Sequence, residues 1–145
     1  MLSGGVDRAG TGHRTVPHTA DLIIEAWAPT RERCLAEAVA ALTDSCADTS
    51  RAAPTGKHAF RLGAGSDEQL LVAVLEEVLY VLDAHDQVPV TTHLAADGAG
   101  LSGWFDVVDV HEIPTIGSAP KGIAWSGLTF DDADGRWCCR VTVDV

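Results

Sequence analysis

Two carboxylates, Asp21 and Asp144, sit at the ends of segments that alternate in the two-residue period of a β-strand, and they are the groups best placed to do chemistry. Asp21 opens the run Asp-Leu-Ile-Ile-Glu-Ala-Trp, in which Leu22, Ile24 and Ala26 share one face and Asp21, Ile23, Glu25 and Trp27 the other. Pro17 and the polar pair His18-Thr19 precede it, so Asp21 falls where a loop becomes a strand. A carboxylate at such a lip stays partly solvated while the sheet holds it in place, which suits a metal ligand or an acid/base group. Arg136 to Val145 alternates too, with Trp137, Cys139, Val141, Val143 and Val145 opposite Cys138, Arg140, Thr142 and Asp144. A sequence that finishes as a strand brings the Asp144 carboxylate and the α-carboxylate of Val145 within two residues. These are hard oxygen donors, fit for Ca²⁺ or Mg²⁺ and not for zinc. Spacing alone does not say whether the strand from Asp21 lies beside the last one.

Other constellations are weaker. Asp131-Asp132-Ala133-Asp134-Gly135 has the look of a calcium loop, but aligning Gly135 to its glycine puts Phe130 and Val141 where an EF-hand needs Asp and Glu. A solvated acidic hairpin turn is the better reading. Asp83-Ala84-His85-Asp86 gathers metal-capable groups where a helix ends, a place where His and Asp are also at home for capping reasons. No glycine-rich phosphate loop, Walker lysine or nucleophile elbow is present, which argues against an independent catalytic centre. Cys34, Cys46, Cys138 and Cys139 contain no Cys-x-x-Cys spacing, so free thiols in a reducing cytoplasm are expected.

The elements that must position these groups can be read from periodicity. Thr30 is a suitable N-cap for a helix with Cys34, Leu35, Ala38, Val39 and Leu42 on its apolar stripe. Ser66-Asp67-Glu68-Gln69 is a capping box that starts a second helix over about 67–84, whose wide apolar face marks it as central. Lys57 to Leu62, Val88 to Ala95, Leu101 to Val110, Lys121 to Phe130 and Arg136 to Val145 read as strands, the last two joined through Asp134-Gly135. The order predicts an α+β fold: a single domain with one curved, mostly antiparallel sheet and two helices packed on one face.

Composition bounds the function. A chain of 145 residues is one domain by size, with residues 1–13 a glycine-rich flexible lead-in and 14–145 the folded part. Net charge is −11, which repels phosphate backbones and so argues against direct nucleic-acid binding, while it suits a basic protein partner or a divalent cation. No apolar stretch is long enough for a membrane span, and a cytoplasmic location is expected.

Taken together, Val16 to Trp27 with its Pro-His-Thr-Ala-Asp pentapeptide, the following helix, Leu70 to Asp83, and the closing Val-Asp-Val resemble the archease family over about residues 14 to 145. Archeases activate the RtcB-type GTP-dependent tRNA-splicing RNA ligase. The resemblance implies that Asp21, Asp144 and Val145 bind calcium or another hard divalent cation such as magnesium; His18, by its place three residues before Asp21, is either a supporting donor to that site or a structural partner for the loop. The family also carries a lysine that opens the penultimate strand, which makes Lys121 a candidate for partner contact against the reading of a plain exposed lysine; Ser126 stands where the family commonly has a histidine. The expected role is therefore that of an accessory protein that promotes guanylylation and multiple turnover of the ligase, and not of an enzyme. The competing readings are a small metal-dependent hydrolase and a generic chaperone-like binding module with a structural metal.

Overall fold

The two helices begin where their capping residues require. In a computed structural model that describes residues 10–16 and 21–145, α1 spans Arg31–Asp44, and the Thr30 hydroxyl accepts from the Arg33 amide at 3.2 Å. That bond satisfies one of the amides a helix start leaves without a partner. Helix α2 spans Asp67–His85, and its capping box is complete: Gln69 N–H donates to the Ser66 hydroxyl at 3.1 Å, and Ser66 N–H donates to the Gln69 side chain at 2.9 Å. Arg31 ties the two helix starts together through Asp67 at 2.9 Å.

Seven strands accompany the helices among the described residues: β1 Gly12–Val16, β2 Asp21–Ala28, β3 Gly56–Leu62, β4 Gln87–Asp97, β5 Gly100–Asp109, β6 Gly122–Ala133 and β7 Arg136–Asp144. Every pairing is antiparallel, as the α+β reading expects. The strands are divided between two sheets, β1-β2-β7-β6 and β3-β5-β4, where the sequence pointed to one curved sheet. Alternation fixes which face a strand buries but not which strand lies beside it. Each helix touches both sheets, α1 through β2 and β4 and α2 through β6 and β4. One core results, in which Ile24, Val141 and Val143 from one sheet meet Phe105 and Leu101 from the other around Leu35, Leu42, Leu71 and Leu75.

Strand β1 has no counterpart among the expected elements. The boundary drawn at residue 13 falls inside it, since Gly12 and His13 pair with Trp27 and Ala26. Gly-His-Arg-Thr-Val has no apolar alternation to betray a strand, and side-chain ties hold it instead. His13 Nδ1 lies 2.7 Å from Glu37 and Nε2 3.1 Å from Asp44, both carboxylates on α1. His18 lies outside the described residues, as do Pro17, Thr19 and Ala20.

The hydrogen bond to Asp44, followed by that to Glu37, outweighs burial and raises the His13 pKa from 6.5 to about 9. A group whose folded value is raised stabilises fully below its ordinary value and loses that contribution as pH rises through the folded one. Wild type should therefore exceed His13→Gln in unfolding free energy at pH 6 by about 1–2 kcal/mol, a figure reduced for solvent screening at the half-exposed Asp44, and the gap should close between pH 6.5 and about 9. Urea titrations of both proteins across that range measure it; a gap independent of pH rejects the charged bridge.

Candidate functional site

Register brings the two sequence-distant carboxylates together. Asp21 is the direct partner of Asp144 in the β2–β7 ladder, and Asp144 is in turn the partner of Gly122 across β7–β6. Directly opposed side chains share a face with their Cβ atoms about 4.5–5.5 Å apart. Asp21 is half-buried, while Asp144 and Val145 are exposed. Lys121 joins the same corner through its backbone, its N–H donating to the Asp144 carbonyl at 2.7 Å. A Cβ built on Gly122 would stand 3.7 Å from Asp144 Oδ2, so the carboxylate lies beside a residue with no side chain to cover it.

The ladder that makes this pairing is pinned farther along the same face. Arg14, Glu25 and Arg140 occupy one row across β1, β2 and β7. Both guanidinium groups donate to the Glu25 carboxylate, Arg14 at 2.5 Å and Arg140 at 2.7 Å. Desolvation pushes the Glu25 carboxyl up, yet the bonds from Arg14 and Arg140 outweigh it and hold the group below the usual carboxylate range. At about 3.3 Å per residue, this row stands roughly 13 Å from Asp21 and cannot neutralise the tip. Among the described residues neither Asp21 nor Asp144 enters an ion pair.

Two like charges set directly opposite one another destabilise a sheet, and a bound cation would relieve that repulsion. The donor set fits a hard divalent ion in chemistry: carboxylate oxygens from Asp21 and Asp144, with Val145 next to the latter. Ca²⁺ takes six to eight oxygens, so such a set leaves positions for water or for oxygens of a partner. Among the described residues no cluster of three or more His, Cys, Asp or Glu side chains is gathered for a metal, at the tip or elsewhere.

The remaining candidates separate. Lys121 is exposed and lines a groove of about 620 Å³ between α2 and the entry to β6, facing Glu76, Tyr80 and Asp83. Ser126 is exposed within a bulge of β6, where Trp125 to Leu128 stand against the single residue Val141. At the end of α2, Asp86 serves as a left-handed cap with φ 52°, and His85 packs edge-on against Tyr80. The acidic loop is a hairpin turn in which Asp134 and Gly135 have φ of 56° and 75°, the positive pair that a two-residue turn with the right twist needs. All four cysteines are free, and the Cys34 thiol is raised by its hydrogen bond with Cys139 and by burial. The groove and the backbone link from Lys121 to Asp144 carry no signature in the sequence, because they join segments that only the sheet makes neighbours.

Residues 13–145 match the model of the archease protein family (MTH1598/TM1083). The chain is 40% identical over 144 residues to a protein of Mycobacterium tuberculosis (strain CDC 1551 / Oshkosh) named "Probable protein archease", covering 99% of this chain and 80% of that protein. The same figures hold for its counterpart in strain H37Rv. Among solved structures, Methanobacterium thermoautotrophicum protein 1598 superposes with a TM-score of 0.72 at 18% identity, over 92% of this chain and 98% of that one. A Thermotoga maritima protein described as an archease, possible chaperone, superposes with a TM-score of 0.64 at 17% identity, over 90% and 94% of the two chains.

The opposed carboxylates generate a direct expectation. Ca²⁺ at a hundredfold excess over its dissociation constant should stabilise wild type by about 2.7 kcal/mol, or roughly 5–10 °C in Tm. Asp21→Asn should show little of that shift, and without cation it should melt at or slightly above wild type because the repulsion is gone. Thermal melts with and without Ca²⁺ decide the matter, and equal cation-induced shifts in both proteins would remove Asp21 from the site.

Proposed function

The chain belongs to the archease family, and from that premise we propose that it is an accessory protein that promotes the GTP-dependent guanylylation and repeated turnover of an RtcB-type tRNA-splicing RNA ligase. The observation that carries this reading is the pairing of Asp21 with Asp144 at one sheet corner, next to Gly122 and Lys121. Asp21, Asp144 and Val145 are the residues that would hold a calcium or similar cation. Such a cation, when bound, supplies a hard positive centre that favours phosphate and carboxylate oxygens. The chain's own residues do the rest. The β2–β7 ladder fixes the backbone positions of both residues, Asp21 half-buried and Asp144 exposed. Lys121 is tethered at its backbone to Asp144 and lines the adjoining groove, within reach of the same partner. The net charge of −11 steers the tip toward a basic cleft and speeds encounter.

Biasing the partner toward its reactive conformation requires only that the tip bind that conformation more tightly than the other. A second, broader reading is a generic chaperone-like protein-binding module with a structural metal, which the description of the Thermotoga maritima protein as a possible chaperone favours.

Substoichiometric wild-type protein added to a cognate ligase with GTP should raise guanylylation through many turnovers. Asp21→Asn should reduce the effect at least tenfold, and removal of Asp144 and Val145 should abolish it. Lys121→Ala should weaken activation while changing stability by no more than about 0.5 kcal/mol, as an exposed substitution does. Wild type that leaves guanylylation unchanged rejects the reading. Phosphoester hydrolysis by the protein alone would favour a hydrolase instead.

A further inference from the structure

The groove beside the acidic corner carries more than Lys121. Along α2, Glu76, Tyr80 and Asp83 stand at i, i+4 and i+7, which places them on one line of the helix surface. Pro120 to Gly122 form the facing wall, and the space between is about 620 Å³. Tyr80 is 50% exposed, with its ring braced edge-on against His85 at 5.3 Å. A braced aromatic ring standing in solvent loses little entropy on docking and offers a large apolar contact. Glu76 and Asp83 are exposed, and neither forms an ion pair among the described residues, although Lys121 lines the same groove. Seven helical residues put the two carboxylates about 10.5 Å apart along α2. Gly122 belongs both to this groove and to the row through Asp144, so groove and corner form one continuous surface.

We infer that this groove docks a cationic segment of the protein partner, one that presents two Lys or Arg side chains about 10 Å apart with an apolar side chain between them. The cations would meet Glu76 and Asp83 and the apolar group would meet Tyr80. Lys or Arg at i and i+7 on a helix supplies that spacing. Nucleic acid is disfavoured, since its phosphates would face both carboxylates. The inference rests on the ligase reading above and adds to it where the partner is gripped, apart from the carboxylates that meet its cleft.

The test compares binding to the ligase, by anisotropy of a labelled ligase over a salt series, with activation in the same samples. Glu76→Lys with Asp83→Lys should weaken binding at least tenfold at low salt and flatten the salt dependence. Tyr80→Ala, which leaves charge untouched, should weaken it several-fold at every salt concentration. A control carrying Asp131→Lys and Asp132→Lys makes the same change in net charge on the exposed β6–β7 hairpin and should bind nearly as wild type. Equal binding by wild type and both groove variants overturns the inference while leaving the ligase reading intact. An equal loss in the control also overturns it, by assigning the attraction to bulk charge. Wild type that neither binds nor activates the ligase removes both readings together.

Discussion

The register of β2 against β7 is the constraint on which the rest of the molecule depends. Slipping it by one residue would send Asp21 and Glu25 into the core and turn Ile24, now fully buried, out to water. Each large apolar side chain returned to solvent costs about 1.5–3 kcal/mol, whereas an exposed ion pair such as Arg140 with Glu25 contributes about 0–1 kcal/mol. Burial of Ile24, Val141 and Val143 therefore decides the register, and the Arg14–Glu25–Arg140 row only sharpens it. The opposition of Asp21 and Asp144 is a consequence: an unfavourable pair held in place by favourable burial a few residues away.

That tension gives the corner its chemistry. Two carboxylates that enter no ion pair among the described residues favour any cation that reaches them, whether a metal ion or a basic side chain. The helices contribute rigidity and position. The apolar face of α2 fixes it in the core and thereby sets Glu76, Tyr80 and Asp83 on the outside, facing the entry to β6. Lys121 is brought to the corner by a main-chain hydrogen bond, so its placement does not depend on the conformation of its own side chain. Farther off, His13 clamps the edge strand β1 to α1 and Arg31 clamps the two helix starts.

Much of this was legible before any coordinates. Thr30 and Ser66 mark their helix starts because capping is a matter of bonds within three residues. Asp134-Gly135 marks its turn because positive φ has few residue types to choose from. Alternation in residues 21–27 and 136–145 states which side chains share a face, and so it singles out Asp21 and Asp144 as solvent-side carboxylates at strand ends. These are local properties, and local physics writes them into the residue order. Strand β1 escaped because Gly-His-Arg-Thr-Val is held by ties to distant residues and not by its own apolar pattern.

What only the tertiary structure decided is partnership. The division of seven strands into two sheets, the meeting of Asp21 with Asp144 across 123 positions of sequence, and the bridge from His13 to Glu37 and Asp44 all join segments that no period relates. The resemblance to archeases implied the second of these, while the residues themselves left it open. The groove between α2 and β6 belongs to the same class, since neither wall means anything without the other. Periodicity assigns each residue a face, but the choice among possible neighbours is settled by which whole packing buries the most apolar surface with the fewest unpaired polar groups, and that is a property of the entire chain.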